Sequence, residues 1–576
     1  MKFLPTTKRE MKQLGWDSLD IILVSGDSYI DSPFIGISVI GRLLARQGYR
    51  VGIIAQPDIL SDRDIMRLGE PELFWGISSG SVDSMVANYT ASKKKRRSDD
   101  FTPGGINNRR PDRAVIVYSN LIRRYFKETR PIVLGGIEAS LRRIAHYDYW
   151  SDSLRRSILF DAQADALVYG MGEKAILKFA DAIKHDNDWR TINGLCYISH
   201  DHPQDHIELP SFDDVVTSKK QFTTMFHTFY DNNDPLTARG LCQLHDTRYL
   251  IQNSPQAYLS QSEMDDVYEM DFASELHPFY KQDGIVKALA TIKFSLATHR
   301  GCYGECNFCA IAVHQGQTVR WRSERSVVQE ARRFRSHADF KGIISDAGGP
   351  TANMYGFECQ KKLRKGCCDD KRCLYPEVCT AMTPDHSQQL SLLKKLQNID
   401  GVRKVFIASG VRHDLVIEDK KFGQKYLNQL VKKHTSGQLK VAPEHTDQNV
   451  LKLMGKPDVA SLTEFSAMFK NAASNSENRQ FLTYYLIAAH PGCSETEMKQ
   501  LKEYTSKHLK TNPEQVQIFT PLPSTYSALM YYTEVNPFTG KKIFVEKDIR
   551  RKTRQKEIVT KKASYKRTTK ARRSRH

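Results

Sequence analysis

Residues 299–309 read HRGCYGECNFC, and this stretch indicates both the fold and the chemistry of the chain. Cys302, Cys306 and Cys309 stand at positions i, i+4 and i+7, directly after an apolar strand pattern and in a loop with two glycines. With 11 cysteines in 576 residues, three at any specified spacing arise by chance roughly 0.004 times per chain. Three thiolates that hold one cubane leave its fourth iron free for another ligand. The loop therefore predicts a [4Fe-4S] cluster with one open iron.

Zinc is the alternative for the same loop. Structural zinc commonly accepts three cysteines and one histidine, and His299 and His314 lie close by in the sequence. Closed zinc sites usually draw on two separate ligand pairs, whereas this chain offers one compact triplet. The sequence favours the cubane.

Composition places the chain among globular proteins, with 40% hydrophobic and 26% charged residues. No run approaches the ~18 apolar residues of a membrane helix, and the first 17 residues show no secretory pattern. We therefore expect a cytoplasmic protein with reduced cysteines and no membrane partner. The net charge of +19 is concentrated at one end, because residues 541–576 hold 16 Lys/Arg against 3 Asp/Glu.

The strand patterns on either side of the cysteine loop predict two α/β units. Residues 1–190 alternate apolar strands with helical segments, as in IILVSGD and SVIGRLLARQGY, which predicts a doubly wound parallel sheet. Residues 191–285 have weaker periodicity and are interpreted as a connector. Strand signals resume over 286–540 and predict a second α/β unit. The basic end, 541–576, lacks an apolar pattern and is predicted to be disordered.

The spacing C-x3-C-x-aromatic-C is formed here by Cys302, Cys306, Phe308 and Cys309. It resembles the signature of the radical S-adenosylmethionine (radical SAM) superfamily. The resemblance implies a partial (β/α)6 barrel whose open iron chelates S-adenosylmethionine. It also implies an electron donor such as flavodoxin or ferredoxin.

Longer motifs narrow the resemblance to one family within this superfamily. GDSYIDSPFIG, VLGGIEASLRR, DAGGPTANMYG, SGVRHDL and VQIFTPLPSTYSALMYYT together look like the YgiQ family. The likeness spans nearly the whole of residues 15–545 and leaves the substrate unassigned.

The resemblance also implies residues that bind S-adenosylmethionine. In the superfamily the second strand ends in a Gly-Gly-Glu-like turn that receives the methionine amino group, and Gly348 and Gly349 stand at that turn here. Pro350 replaces the acidic residue, which removes one side-chain contact but leaves the backbone carbonyls available. Further contacts are implied at the ends of three later strands, from Ser409, Glu444 and His490. For His490, a plain structural hydrogen bond is an equally good interpretation.

The first unit resembles the flavodoxin-like, cobalamin-binding domain that precedes many radical SAM barrels. Such domains carry D-x-H-x-x-G, whose histidine ligates cobalt. Asp31 and Gly36 keep that spacing, but Pro33 occupies the histidine position and offers no nitrogen. Cobalamin bound by a histidine ligand is therefore not expected; a scaffold without cofactor is favoured, and cobalamin bound without a protein ligand is the alternative. Gly135, Gly136 and Gly172 are expected to shape loops facing the barrel.

A second cysteine group lies in residues 355–380, which we call the cysteine insertion. Thiols at short spacing in a lysine-rich segment with little apolar sequence favour a loop folded around metal. The predicted ligands are Cys359, Cys368, Cys373 and Cys379, for zinc or an auxiliary iron-sulfur cluster. Cys367 competes with Cys368 for one position, and free cysteines in a basic loop are the alternative.

The leading hypothesis is a radical SAM enzyme that forms a 5'-deoxyadenosyl radical. One alternative is an RNA-modifying member of the same class, whose basic tail would hold RNA. The other is a nucleic-acid-binding protein in which the iron-sulfur cluster is only structural.

Overall fold

The computed structural model describes residues 2–476 and 479–561. A nine-stranded sheet, the first sheet, organises the amino-terminal half of the chain. Five consecutive strands are parallel and reach one edge of the sheet, and the other four form the opposite flank. From edge to edge the strands are Ile207–Leu209, Leu241–His245, Arg248–Gln252, Leu195–Ser199, Ala166–Val168, Ile132–Gly135, Phe74–Ser78, Ile21–Ser25 and Val51–Ala55.

Both faces of the five parallel strands are buried, as their continuous apolar runs predict. Along Ile21–Ser25 every residue is buried, and alternate side chains enter different cores: Ile22 and Val24 one core, Ile21 and Leu23 the other. The covering helices include Gly36–Arg46, Ser84–Asn88, Ala114–Tyr125, Gly136–Leu141, Ile158–Ala162 and Glu173–Lys184, after a first helix Lys8–Gln13.

The segment interpreted as a connector, 191–285, differs from that expectation. Its strands Leu195–Ser199 and Arg248–Gln252 pair antiparallel with each other, and the former pairs antiparallel with Ala166–Val168. The first sheet therefore continues past residue 190 to Gln252. The segment also contributes the helices Phe212–Thr217, Lys219–Asp231, Gln261–Tyr268 and Pro278–Lys281.

The second unit contains six strand segments in chain order, and neighbouring segments pair in parallel, the third being linked to the fourth through the bridge between Val411 and Val441. The segments are Ser295–Ala297, Ile343–Ile344 with Asp346–Gly348, Lys404–Val405, Gln438–Glu444, Phe481–Ala488 and Val516–Ile518. Helices of this unit include Lys287–Ile292, Ile311–Gln315, Glu324–Arg333, Gln360–Lys365, Ser387–Gln397, His413–Glu418, Gly423–Gln429, Gln448–Met454, Val459–Ser474, Glu495–Lys507 and Tyr526–Thr533.

The basic carboxyl-terminal segment is partly helical, contrary to the predicted disorder. Residues Ile549–Thr560 form a helix that buries Val559 and Gln555. The Gln555 side chain accepts a hydrogen bond from the Ala489 amide at 2.9 Å, at the end of a barrel strand. Packing against the second unit therefore stabilises a helix that the local sequence, which has no apolar pattern, did not predict. Residues 562–576 lie outside the described residues.

Within the described ranges, no helix combines the length and the apolar character that a bilayer crossing requires.

Candidate radical SAM site and interdomain cleft

The cluster loop, residues 299–309, follows the first strand of the second unit and leads into the helix Ile311–Gln315. The Cys309 amide donates to the Cys306 carbonyl at 2.9 Å, which turns the loop back on itself. The Cys302 amide donates to the Gly316 carbonyl at 3.3 Å. The first cysteine is thereby tied to the far end of the helix, and all three thiols share one neighbourhood.

Gly304 lies against two of the three sulfurs. Its amide donates to the Cys302 sulfur at 3.4 Å. A Cβ at this position would lie 2.7 Å from Arg412 Nη1, 3.3 Å from Cys302 Sγ and 3.7 Å from Cys306 Sγ. The loop therefore needs glycine here for close packing, and its backbone supplies the N–H···S contact typical of iron-sulfur sites.

Electrostatics within the loop disfavour bare thiolates. Burial, followed by the proximity of Cys306 and Cys302, raises the pKa of Cys309 to about 12. Burial also raises the pKa of Cys302. Cys302 and Cys309 therefore resist ionisation on their own, which fits a site whose charge is balanced by iron, because a bound metal deprotonates its thiol ligands.

Arg412 is a residue of this site that the cysteine spacing did not reveal. Its Nη1 lies 3.9 Å from the Cys306 sulfur, and its Nε donates to Asp414 at 2.9 Å. Asn353 holds the Arg412 backbone, accepting from its amide at 2.8 Å and donating to its carbonyl at 3.0 Å. A fixed cation thus faces the predicted cluster. Its sequence signal was the RHD of the SGVRHDL motif.

The predicted S-adenosylmethionine residues Gly348, Gly349 and Ser409 lie together. The Ser409 hydroxyl donates to Asp346, whose carboxylate also accepts from the Ala408 amide at 2.8 Å. A Cβ on Gly348 would lie 2.9 Å from the Ser409 hydroxyl oxygen. The turn and the next strand end are therefore in close contact, through an aspartate that the sequence analysis did not single out.

His299 supports the same turn. Its Nδ1 lies 2.8 Å from the Thr298 hydroxyl and its Nε2 lies 2.9 Å from the Thr351 carbonyl oxygen. A Cβ on Gly349 would lie 2.6 Å from the His299 ring. Burial lowers the pKa of His299 to about 4, so the ring is neutral. With both ring nitrogens engaged, His299 does not complete a zinc site.

Glu444 and His490 occupy different environments. Glu444 is buried within electrostatic reach of Cys309 and Arg412, and burial raises its pKa. His490 is fully buried, with Nδ1 2.9 Å from the Pro491 carbonyl oxygen and Nε2 2.7 Å from the Ser527 hydroxyl. Glu444 therefore adjoins the cluster loop, whereas the contacts of His490 favour a structural role.

A cleft of about 490 Å³ separates the first sheet from the Gly348–Gly349 turn of the second unit. One wall contains the carboxyl ends of first-sheet strands, at Ser25, Ser78 and Gly135, and the other contains Gly348 and Ser409. The volume lies within the range of about 300–1,000 Å³ usual for ligand pockets. The predicted loop glycines Gly136 and Gly172 also line it, as does Pro33.

Two contacts fix the first sheet to the cluster loop. Arg300, two residues before Cys302, forms a buried ion pair with Glu173 at the start of a first-sheet helix. After the loop, His314 Nδ1 lies 3.0 Å from the Ser140 hydroxyl. These contacts join the two walls of the cleft before and after the three cysteines. Because His314 contacts Ser140, it does not serve as the fourth ligand of the alternative zinc site.

The cysteine insertion packs beside the cluster loop. Arg372 donates to the Glu305 carbonyl at 2.9 Å and to the Asn307 side chain at 2.7 Å. In the described ranges, no three Cys, His, Asp or Glu side chains converge closely enough to ligate one metal ion. A cubane distributes its thiolates over separate irons, so this does not count against the cluster loop.

Fold and cysteine loop together define a radical SAM protein, and the comparisons agree. The family model described as "Radical SAM N-terminal" matches residues 3–295. The chain belongs to the UPF0313 family, the YgiQ-like group that its motifs resemble. A UPF0313 protein of Fusobacterium nucleatum is 58% identical over 98% of this chain and 99% of its own length. One from Thermotoga maritima is 49% identical, covering 97% and 98%.

Solved structures with the same fold include two enzymes solved with cobalamin. The radical S-adenosylmethionine methyltransferase TsrM from Kitasatospora setae, with cobalamin and a [4Fe-4S] cluster bound, gives a TM-score of 0.50 at 13% identity over 89% of this chain and 78% of that one. OxsB, a cobalamin-dependent S-adenosylmethionine radical enzyme with aqua-cobalamin bound, gives 0.50 at 12% identity over 91% and 57%. At this identity the likeness concerns the fold.

Proposed function

We propose that this protein is a radical SAM enzyme that cleaves S-adenosylmethionine reductively and acts on a substrate held in the interdomain cleft. The observation that carries the proposal is the cluster loop itself. Gly304 packs against the sulfurs of Cys302 and Cys306, Arg412 lies beside Cys306, and the Gly348–Gly349 turn opens into the cleft. When bound, the [4Fe-4S] cluster and S-adenosylmethionine supply the chemistry, in which one electron breaks a sulfonium bond and yields methionine and a 5'-deoxyadenosyl radical.

The residues of this chain bind the cluster, orient S-adenosylmethionine and exclude water. Cys302, Cys306 and Cys309 provide three ligands and leave one iron for the amino and carboxylate groups of S-adenosylmethionine. The positive charge of Arg412 beside Cys306 stabilises the added electron. Backbone groups of the Gly348–Gly349 turn receive the methionine end of S-adenosylmethionine.

Ser409 and Glu444 are the proposed side-chain contacts at neighbouring strand ends. Asp346 fixes the Ser409 hydroxyl at the cleft wall. The cleft would also keep water from a reactive species, because both walls are joined through the Arg300–Glu173 pair. A flavodoxin- or ferredoxin-type protein is the proposed electron donor.

The test is anaerobic reconstitution followed by reduction with S-adenosylmethionine present. Wild-type protein should form 5'-deoxyadenosine, and its paramagnetic cluster signal should change when S-adenosylmethionine is added. Cys302→Ala, Cys306→Ala and Cys309→Ala should each abolish product, since three thiolates are the minimum that leaves one iron open. Product formation by any of the three variants would refute the proposal. A cluster signal that does not respond to saturating S-adenosylmethionine would favour a structural cluster.

A corrinoid-dependent variant of this function is favoured by the cleft. Strand ends of the first sheet face the barrel turn across it, and both structural neighbours named above were solved with cobalamin. Pro33 lines the cleft and cannot ligate cobalt, so any corrinoid there would lack a ligand from that position. Gel filtration with hydroxocobalamin, followed by absorbance of the protein peak, distinguishes this variant from a cleft that holds substrate alone.

A further inference from the structure

The cysteine insertion holds five thiols, and one of them forms its hydrogen bonds with residues outside the insertion. The Cys367 sulfur lies 3.1 Å from Asp234 Oδ2 and 2.9 Å from Gln317 Oε1. These contacts attach the insertion to residues outside it. Of the two adjacent cysteines that competed for one ligand position, Cys368 is therefore the one still available.

The remaining thiols share one neighbourhood. Cys359 is buried in a small apolar cluster, against which Cys373 and Cys379 pack. The Cys379 amide donates to the Cys373 carbonyl at 2.8 Å, so these two thiols are held on one turn. Packing thus brings Cys359, Cys373 and Cys379 together, and the Lys371 ammonium lies within electrostatic reach of both Cys379 and Cys368.

Little else in the insertion explains its shape. Its described regular structure is one short helix, Gln360–Lys365, and no helix or strand follows before Ser387. Segments of about 12–15 residues or more without secondary structure are uncommon in compact domains. In small cysteine-rich segments, metal binding usually provides the missing folding energy.

The surroundings of these sulfurs match those of the cluster loop. At the cluster loop, Gly304 N–H and Arg412 face the sulfurs of Cys302 and Cys306. At the insertion, Lys362 Nζ lies 3.6 Å from Cys373 Sγ, and Lys371 faces Cys379. Such N–H donors compensate the negative charge of cluster thiolates.

We propose that Cys359, Cys368, Cys373 and Cys379 bind an auxiliary iron-sulfur cluster beside the radical SAM cluster. The ammonium of Lys362, 3.6 Å from Cys373 Sγ, is the kind of N–H donor that cluster thiolates accept from, and this contact favours a cluster over structural zinc. Four cysteines would also close the cluster, so S-adenosylmethionine should not bind it.

The decisive protein is the full-length triple variant Cys302→Ala/Cys306→Ala/Cys309→Ala, reconstituted anaerobically with iron and sulfide. It should retain about four irons per chain, the content of one cubane, and a paramagnetic signal that S-adenosylmethionine does not change. Adding Cys373→Ala and Cys379→Ala should remove that iron. Adding Cys367→Ala instead, as the matched control, should leave it.

Loss of all iron from the triple variant, zinc as its retained metal, or equal iron loss with Cys367→Ala would each overturn the proposal. If the triple variant does not fold, wild-type protein decides the matter. Mössbauer spectra of iron-57 protein should show two clusters and about eight irons per chain, whereas about four irons contradict the second site. Failure of S-adenosylmethionine cleavage would refute the proposed function but leave this result unaffected.

Discussion

The two cysteine groups lie side by side yet differ in how much of each site is local in sequence. In the cluster loop, Cys302 and Cys309 are separated by one tight turn, so their spacing alone predicted the site. In the insertion, the thiols are spread over residues 359–379 and one of them, Cys367, is bonded to Asp234. When cysteines are a few residues apart, the sequence alone indicates which of them can share a metal site. When they are spread over a longer segment, tertiary contacts decide which of them come together.

The comparison predicts the largest loss of cluster iron for a substitution at Gly304. This glycine packs against two sulfurs of the cluster loop, and the insertion has no equivalent residue. In Gly304→Ala, the new methyl group would lie 2.7 Å from Arg412 Nη1, a guanidinium that Asp414 holds in place. Either the cation or a sulfur must move. We expect cluster content, measured as iron and sulfide per chain, to fall at least about tenfold, with 5'-deoxyadenosine formation following it.

Gly36→Ala is the matched control, because a Cβ there would meet nothing within 4 Å. It should retain the wild-type iron content. Full iron content in Gly304→Ala would show that the packing of the loop around this residue is not needed for the cluster.

The next effect, on the reduction potential and activity of the cluster instead of its content, is expected at Arg412, which faces the cluster from outside the loop. Arg412→Gln removes the cation 3.9 Å from Cys306 Sγ and leaves the three thiols in place. Loss of this charge destabilises the reduced cluster, so its reduction potential should become more negative. S-Adenosylmethionine cleavage should fall about 10- to 100-fold, the usual cost of removing an outer-shell partner.

Potentiometric titration of the paramagnetic signal measures the first effect and product formation the second. Arg335→Gln is the control, since Arg335 pairs with Asp400 at the exposed surface, at 2.7 Å. An unchanged potential in Arg412→Gln would remove this residue from the site, whatever the activity.

Sequence reasoning succeeded where one local pattern carried the information. The buried run Ile21–Ser25 predicted a parallel strand of the first sheet, as found, whereas the iron ligands of the cluster loop stay a prediction. It missed the hairpin of Leu241–His245 and Arg248–Gln252, whose strands are short and joined by a turn with Asp246 in the left-handed region, at φ 53°. This hairpin belongs to the first sheet only because Leu195–Ser199 offers a partner.

Non-local contacts account for the other differences. Arg412 meets Cys306 across 106 residues of chain, a distance at which spacing carries no information. The helix Ile549–Thr560 is highly basic, and its own sequence predicted no core. It forms because a few positions, among them Val559, are buried against the second unit. Lys502 also donates to the Val559 carbonyl at 2.9 Å.

The smallest of the predicted effects concerns Lys362, the side chain that joins the two cysteine regions. Its ammonium is buried, donates to the Gln317 carbonyl at 2.7 Å and lies 3.6 Å from Glu305 Oε1 in the cluster loop. Lys362→Met would leave that carboxylate without its buried cation, at a cost of about 3 kcal/mol. Because the insertion has few other supports, it should open locally, seen as faster proteolysis and hydrogen exchange within 355–380. S-Adenosylmethionine cleavage should fall less than about tenfold, since all three loop thiols and Arg412 remain.

Lys361→Met, exposed on the same helix, should change neither measurement. If Lys362→Met abolished cleavage as completely as a cysteine variant, the two regions would form one functional unit, and their separation into independent sites would be wrong.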